Sequence, residues 1–438
     1  MSSEWLSYKL ADLATFKYGE FLAKSTLSDS GFPVFSGYKV VGYLPTYQYH
    51  DQQLLIVCRG EGGTGDVKMS PPTCSITNLS IVIFPNEEFV NQKFLYWALR
   101  ASDTHRLRSG SAQAQIVIGA LKLFKVNVPP KRVEQLYIAE ILDAFDDRIA
   151  LLRETNATLE AIAQALFKSW FVDFDPIRAK QEGREPEGMD TDTAALFPDS
   201  FEESELGLVP QGWRVSFVYD LAQYINGAAY KAFEPNSEQK GLPIIKIAEL
   251  KAGVTSQTGF SEINMPLKYK INTKDILFSW SGNPGTSIDV FVWPHSEAWL
   301  NQHIFRVIPN TGQERSFVLL MLKYLMPVFA EIARNKQTTG LGHVTVADLK
   351  RLQVVLPCNK LLEKWNELVD PLLERAFIVM QQAQALASIR DTLLPRLIFG
   401  QLRVSDANIE TVSEAFRPIK FSSDLDLPND EISVEAHL

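Results

Sequence analysis

The sequence predicts an α+β fold: two α/β blocks separated by a long antiparallel two-helix coiled coil, the halves related by a pseudo-twofold internal duplication. Three observations predict it. The first is a heptad seam. Leu142, Phe145, Ile149, Leu152, Asn156, Leu159, Ala163, Leu166 and Trp170 recur at alternating spacings of three and four, and eight of the nine are apolar. That is the narrow stripe of a coiled coil, not the broad face of a helix lying on a globular core. The second is the same seam 227 residues further on, at Val369, Leu372, Ala376, Val379, Ala383, Leu386, Arg390, Leu393 and Leu397, again with eight of nine apolar. The third is that the stretches before the two seams carry their landmarks in one order while most side chains differ.

No Pro or Gly interrupts Lys131 to Phe174. At about 1.5 Å per residue, ~40 residues make a rod of roughly 60 Å. One such helix cannot bury its own seam, and the second seam supplies the partner. Two seam positions are polar, Asn156 and Arg390. An antiparallel pair with its twofold near Leu159 brings them together, where they are expected to set the register.

The blocks repeat as follows. Glu4-Trp5 is echoed by Gly212-Trp213, and Asp12-Leu13-Ala14 by Asp220-Leu221-Ala222. Ile56-Val57-Cys58-Arg59 with Gly62 and Gly65 aligns with Ile276-Leu277-Phe278-Ser279 with Gly282 and Gly285. Asn78 and Ile81 align with Asn301 and Ile304, and Leu121 through Pro129 with Leu349 through Pro357. In the first block, Leu54–Val57 and Leu79–Phe84 read as strands and Asn91–Arg108 as a helix. The resulting boundaries are 1–130 for the first block, 131–180 for the central long helix, 181–209 for an acidic linker, 210–358 for the second block, 359–404 for the distal long helix and 405–438 for an acidic tail. The linker lacks periodicity and is expected as an exposed connector, and the end of the tail as mobile.

The net charge of −9 is unevenly spread. Residues 181–209 carry nine acids and one base, and 405–438 eight acids and two bases. Residues 1–130 are +2 and 210–358 are +4. Mildly basic blocks with acidic connectors are compatible with DNA binding. No secretory signal or membrane span is expected, because the longest apolar run, Phe317 to Leu322, stops at Lys323. Cys58, Cys74 and Cys358 lie far apart without a nearby His pair, which argues against a metal centre or a disulfide framework and for a cytoplasmic setting.

No catalytic constellation is legible. There is no Gly-Lys-Ser/Thr phosphate loop, no Asn-Pro-Pro-Tyr/Phe motif for amino-methylation, no nucleophile elbow and no HExxH. Gly60 to Gly65 is glycine-rich, but Val67-Lys68-Met69-Ser70-Pro71-Pro72 follows where a phosphate cradle needs a helix. Two divergent heads joined by rods suit a reader of two separated DNA half-sites. A two-headed protein-binding scaffold and an enzyme of unfamiliar type are the alternatives.

The chain resembles the specificity subunit of type I restriction–modification enzymes. Lys168-Ser169-Trp170-Phe171-Val172-Asp173-Phe174-Asp175-Pro176 is similar to that family's signature at the end of the central helix. Leu393-Leu394-Pro395-Arg396-Leu397-Ile398-Phe399-Gly400-Gln401-Leu402 is similar to its distal counterpart, with Phe399 where the family more often has Ser. The resemblance spans residues 1–404. It implies that each head is a target recognition domain for one half of a bipartite, asymmetric site in double-stranded DNA. It implies that the helices are a spacer and a platform for two DNA methylation subunits, which flip out and methylate adenine. It implies no catalytic residue and no cofactor in this chain. S-adenosylmethionine, ATP and Mg belong to partner subunits, with restriction/translocase subunits in the full complex.

Base contacts are expected from polar loop residues that differ between the heads. In head one these are Lys17, Tyr18, Arg59, Lys68, Ser111, Gln113 and Gln115. In head two they are Tyr230, Lys231, Ser281, Asn283, Lys336, Gln337 and His343. Tyr18 and Tyr230 are also candidates for the cores, and Gly62 and Gly282 for close backbone approach.

Overall fold

The computed structural model describes residues 5–60, 63–110, 114–310, 312, 314–337 and 340–402. Ser111, Gln113, Gly62 and the acidic tail lie outside the described residues. The chain divides into two compact units, Met1–Arg148 with Leu386–Leu438, and Ile149–Ala385. Each unit holds one head and a stretch of both long helices.

The seams form those helices, Arg132–Lys168 and Asn359–Ile398. None of the eighteen seam positions is exposed. In the first unit Ile138, Ala139 and Leu142, from the start of the central helix, share one core with Leu394, Leu397 and Ile398, from the end of the distal helix. In the second unit Ala163, Phe167 and Trp170 share a core with Leu361, Leu362, Trp365 and Val369. The pairing is therefore antiparallel in both units, as the repeated seam requires.

Each polar seam residue, expected to pair with the other, is held by carboxylates of its own unit. Arg390 donates to Asp146 and Asp391, and Asn156 donates to Glu160 Oε1 at 3.1 Å. Carboxylates form stronger, charge-assisted hydrogen bonds than an amide does. Asp146 also accepts from Arg100 at 3.1 Å, so one carboxylate ties the helix Gln92–Arg100 of the head to both long helices. The Arg390 side chain is only 13% exposed. Asp146→Ala leaves that guanidinium with Asp391 alone and is expected to cost about 2–3 kcal/mol by urea unfolding. Asp391→Ala, which removes an exposed partner, is expected to cost under about 1 kcal/mol.

The central helix closes in a way the heptads do not anticipate. Ser169–Asp173 is a π-helical turn, and Phe174 then adopts a left-handed conformation (φ 57°, ψ 37°) ahead of Pro176. The widened turn points three rings inward. Phe171 lies edge-on to Phe317 (5.0 Å) and Trp365 (4.9 Å), Trp170 to Trp365 (5.4 Å), and Phe174 to Trp213 (5.7 Å). The signature is thus the aromatic lock of central helix, distal helix and second head.

The segment 181–209, expected as an exposed connector, is folded. Asp190 caps the short helix Thr191–Ala195, a hairpin runs from Phe201 to Pro210, and Phe197 is buried with its ring 5.2 Å from Trp170. Its acids face water while Phe197 and Val209 are buried, so charge composition alone misjudged it.

Head one contains β1 (Leu6–Lys9), β2 (Ala14–Tyr18), β3 (Phe32–Phe35), β4 (Val40–Leu44), β5 (Leu54–Val57), β6 (Val67–Met69), β7 (Ser75–Ile76), β8 (Ser80–Pro85) and β9 (Lys125–Val128). They form a four-stranded sheet β2-β8-β5-β6, a three-stranded sheet β4-β3-β7 and the pair β1-β9. The second unit contains the linker hairpin β10 (Phe201–Ser204) and β11 (Gly207–Pro210). Head two follows with β12 (Arg214–Phe217), β13 (Ala222–Asn226), β14 (Leu242–Ile245), β15 (Phe260–Ser261), β16 (Lys270–Ile271), β17 (Ile276–Ser279), β18 (Ser281–Gly282), β19 (Asp289–Val292), β20 (Ala298–Leu300), β21 (Ile304–Pro309), β22 (Gly342–His343) and β23 (Gln353–Leu356). Its sheets β13-β21-β17-β19, β15-β14-β20-β16 and β12-β23 repeat the first plan, and β18 pairs with β22.

The registers correct two of the sequence alignments. Tyr18 pairs with Ile81 as Asn226 pairs with Phe305, and Leu54–Val57 sits on β8 as Ile276–Ser279 sits on β21. Ile276–Ser279 therefore matches Leu54–Val57, two residues from the sequence alignment. A slip of two preserves the inside–outside alternation of a strand and is invisible to pattern. The helix expected over Asn91–Arg108 ends at Arg100, and Thr104–Leu107 is a separate 3₁₀ turn. No single helix among the described residues is long and apolar enough to cross a membrane.

Candidate nucleic-acid interface

In each head the first strand of the four-stranded sheet runs into a glycine that no other residue can replace. Gly19 N–H donates to Ser80 O (3.0 Å) and Glu20 N–H to Ile76 O (2.9 Å). Gly227 N–H donates to Ile304 O (3.2 Å) and Ala228 N–H to Leu300 O (2.9 Å). A Cβ on Gly19 would stand 2.2 Å from Thr77 O, and one on Gly227 2.2 Å from Asn301 O. The partner strand answers alike, with Asn78 N–H donating to Glu20 O (2.9 Å) and Gln302 N–H to Ala228 O (2.8 Å). Beside them Cys58 N–H donates to Leu79 O (2.8 Å) and Trp280 N–H to His303 O (3.3 Å). A final loop joins at Ile116 N–H to Cys58 O (2.9 Å) and at Val344 N–H to Trp280 O (2.8 Å). The backbone of one sheet end is the same in both heads. It places Tyr18, Arg59, Asn78 and Gln115 where the other head has Asn226, Ser281, Gln302 and His343.

Five of the candidates chosen from sequence meet at these ends. Arg59 and Gln115 are exposed, and Ser281 and His343 are half-buried and paired through β18 and β22. Tyr18 is the fifth: its ring packs on the head-one core, its hydroxyl accepts from Ile118 N–H at 3.2 Å, and the Arg59 guanidinium lies 5.7 Å over the ring.

The other candidates lie elsewhere. Lys17, Val82, Leu55 and Lys68 form one row across the sheet, while Tyr18, Ile81, Ile56 and Val67 form the next. Adjacent rows face opposite sides, so the two lysines are turned away from Tyr18. Each has a carboxylate 3.7 Å away, Glu20 and Asp66 respectively. Tyr230 packs against the cluster around Phe233, with Lys246 Nζ 4.9 Å from its ring centre, and Lys231 is exposed on the same 3₁₀ turn. Asn283 is exposed, its Oδ1 accepting from Gly285 N–H at 2.9 Å. Gln337 is exposed and donates to Gly340 O at 3.1 Å. Lys336 is committed to structure: its ammonium contacts both oxygens of buried Asp348, at 2.5 and 2.6 Å. Burial raises the Asp348 pKa, but the donors Lys336 and Thr345 outweigh it and hold the carboxyl below its ordinary value.

Sequence reasoning missed Asn78, Asn226, Trp280, Gln302 and His303. It aligned Asn78 with Asn301, whereas the ladder matches Asn78 with Gln302 and Thr77 with Asn301. The available signal was a glycine directly after each first strand, Gly19 and Gly227. The glycines at 60, 62 and 65 have the spacing of a dinucleotide fingerprint, but they lead into β6 and not a helix. Gly60 and Gly65 serve packing. A Cβ on Gly60 would come 2.7 Å from Tyr38, and one on Gly65 2.5 Å from His105. Gly282 has φ +122°, and a Cβ there would meet Ser287 at 2.6 Å. Among the described residues no cluster of His, Cys, Asp and Glu could hold a metal ion.

The family model for the type I restriction modification DNA specificity domain matches residues 2–161 and, a second time, 210–360. The chain belongs to this family. Members are DNA-recognition components, and the match favours that reading over a protein-binding scaffold. The specificity subunit of the type I restriction enzyme MjaIX from Methanocaldococcus jannaschii is 27% identical over 333 residues, covering 74% of this chain and 72% of that protein. The HindI specificity subunit of Haemophilus influenzae is 28% identical over 374 residues, covering 74% and 80%. The crystal structure of the type I S subunit from M. genitalium has the same fold, with a TM-score of 0.59 at 18% identity over 91% of this chain and 96% of that one.

Proposed function

We propose that this chain recognises DNA for a type I restriction–modification complex, each head reading one half of a bipartite, asymmetric site. The observation that carries this reading is the pair of sheet ends: one backbone, held by matched main-chain bonds, presenting different polar side chains. A duplicated scaffold with divergent side chains at its matched positions suits two different half-sites. The long helices set the gap between the half-sites and carry two methylation subunits. Apolar residues left exposed on them, Val133, Leu136 and Leu151 on one and Leu368 and Ile389 on the other, support a platform role. The methylation subunits supply S-adenosylmethionine and the adenine chemistry, and restriction/translocase subunits supply the ATP- and Mg-dependent steps. This chain is non-catalytic and works in the cytoplasm.

Sequencing adenine methylation in a genome that encodes this chain with its cognate subunits tests the reading. The expected result is a two-part motif with a fixed gap of unspecified bases. A single continuous motif, or methylation independent of this chain, overturns it.

A further inference from the structure

The two heads agree chemically at one of their matched positions. Thr77-Asn78-Leu79-Ser80 and Asn301-Gln302-His303-Ile304 follow the same path, a bridge residue, two turn residues and the first residue of a strand. Ser80 N–H closes the turn onto Thr77 O (3.1 Å) and Ile304 N–H onto Asn301 O (3.2 Å). Behind the turn Thr77 N–H donates to Phe35 O (3.0 Å) and Asn301 N–H to Ile245 O (3.1 Å). A turn held from every side fixes where its side chain emerges. In both heads that side chain is a carboxamide on a half-buried residue. The Asn78 amide makes no hydrogen bond to a described residue, and the Gln302 amide nitrogen lies 3.3 Å from His303 Nε2. The flanking pairs, by contrast, change chemistry from Tyr18 to Asn226, Arg59 to Ser281 and Gln115 to His343.

We propose that Asn78 and Gln302 are the adenine-reading residues common to the two heads, each pairing through its amide with an adenine at the same place in its half-site. The flanking pairs then set the bases in which the half-sites differ. This rests on the reading that the heads bind DNA half-sites. A carboxamide offers one donor and one acceptor in a plane, matching the N7 acceptor and N6 donor of adenine in the major groove. A carboxylate offers acceptors only and a guanidinium donors only.

The test uses the full chain assembled with its cognate methylation subunits and reads the motif methylated in a host genome otherwise free of adenine methylation. Asn78→Ala is expected to relax one position in one half of the motif, with about tenfold or greater loss of discrimination, and to leave the other half intact. Gln302→Ala is expected to do the converse. Gln302→Glu keeps the shape but only accepts, and is expected to move its position from adenine towards cytosine. Unchanged motifs, or weakening spread over both halves, overturn the assignment. For a variant that methylates nothing, competition among duplexes altered in one half-site decides: preference lost for one half supports it, and preference lost for both overturns it. A wild-type assembly that yields no two-part motif overturns the functional reading itself, an outcome distinct from these.

Discussion

Trp365→Ala is expected to destabilise the second unit by about 3–5 kcal/mol. Trp365 is fully buried at the start of the distal helix and meets Phe171 at 4.9 Å, Trp170 at 5.4 Å and Phe167 at 5.9 Å. All three rings come from the end of the central helix or its π turn. Truncation therefore opens a cavity at the junction of both rods with the head, where three elements would have to move together to refill it. Its indole N–H has no partner among the described residues, so no hydrogen bond is lost and the penalty comes from packing. Thermal unfolding should show a fall in Tm on the order of 10 °C. Trp365→Phe, which keeps an aromatic ring in place, should lose less than half as much. Equal losses in both variants would mean that a phenyl ring restores none of the packing, and would overturn the claim that an aromatic ring alone holds most of the junction.

Gly227→Val is expected to have the second largest effect, about 3 kcal/mol. Its Cβ would stand 2.2 Å from both Leu300 O and Asn301 O. Those carbonyls belong to the segment that accepts from Ala228 N–H and closes onto Ile304 N–H, so neither yields without breaking the turn. The functional signature is more specific than the stability change. Discrimination should fall in only one half of the recognition site, because Gly19 keeps its own turn intact. The duplex-competition measurement reads this directly. Gly212→Val provides the control: Gly212 also precedes a head-two strand, but a Cβ there meets nothing within 4 Å. The strain of its positive φ remains, and half-site preference should be unchanged.

The rods were legible from the first because a coiled coil is coded locally. Each seam residue sits three or four positions from the next, and the antiparallel partner has the same spacing 227 residues on. The duplication of the heads was legible as an order of landmarks, and the echoes of Trp5 in Trp213 and of Leu13 in Leu221 agree with the observed registers. The alignment inside the sheets failed by one residue at Asn78 and by two at Ile56. Hydrophobic alternation cannot count a two-residue slip, and loops of different length erase the frame between strands. Symmetry brought Asn156 and Arg390 together on paper, but within their own units Asp146, a non-seam residue, offers Arg390 a charge and Glu160 accepts from Asn156. Lys336 was chosen for its charge, and nothing near it in sequence reveals that Asp348, twelve residues on, would claim it.

Sequence alone determined that this protein is two copies of a head and a rod, since periodicity and repetition are properties of the chain read along its length. Which side chains share a sheet end was decided only by the tertiary structure. Tyr18, Arg59, Asn78 and Gln115 converge through main-chain bonds between segments 21 to 61 residues apart, and such bonds leave no mark on side-chain pattern except where a close approach demands glycine.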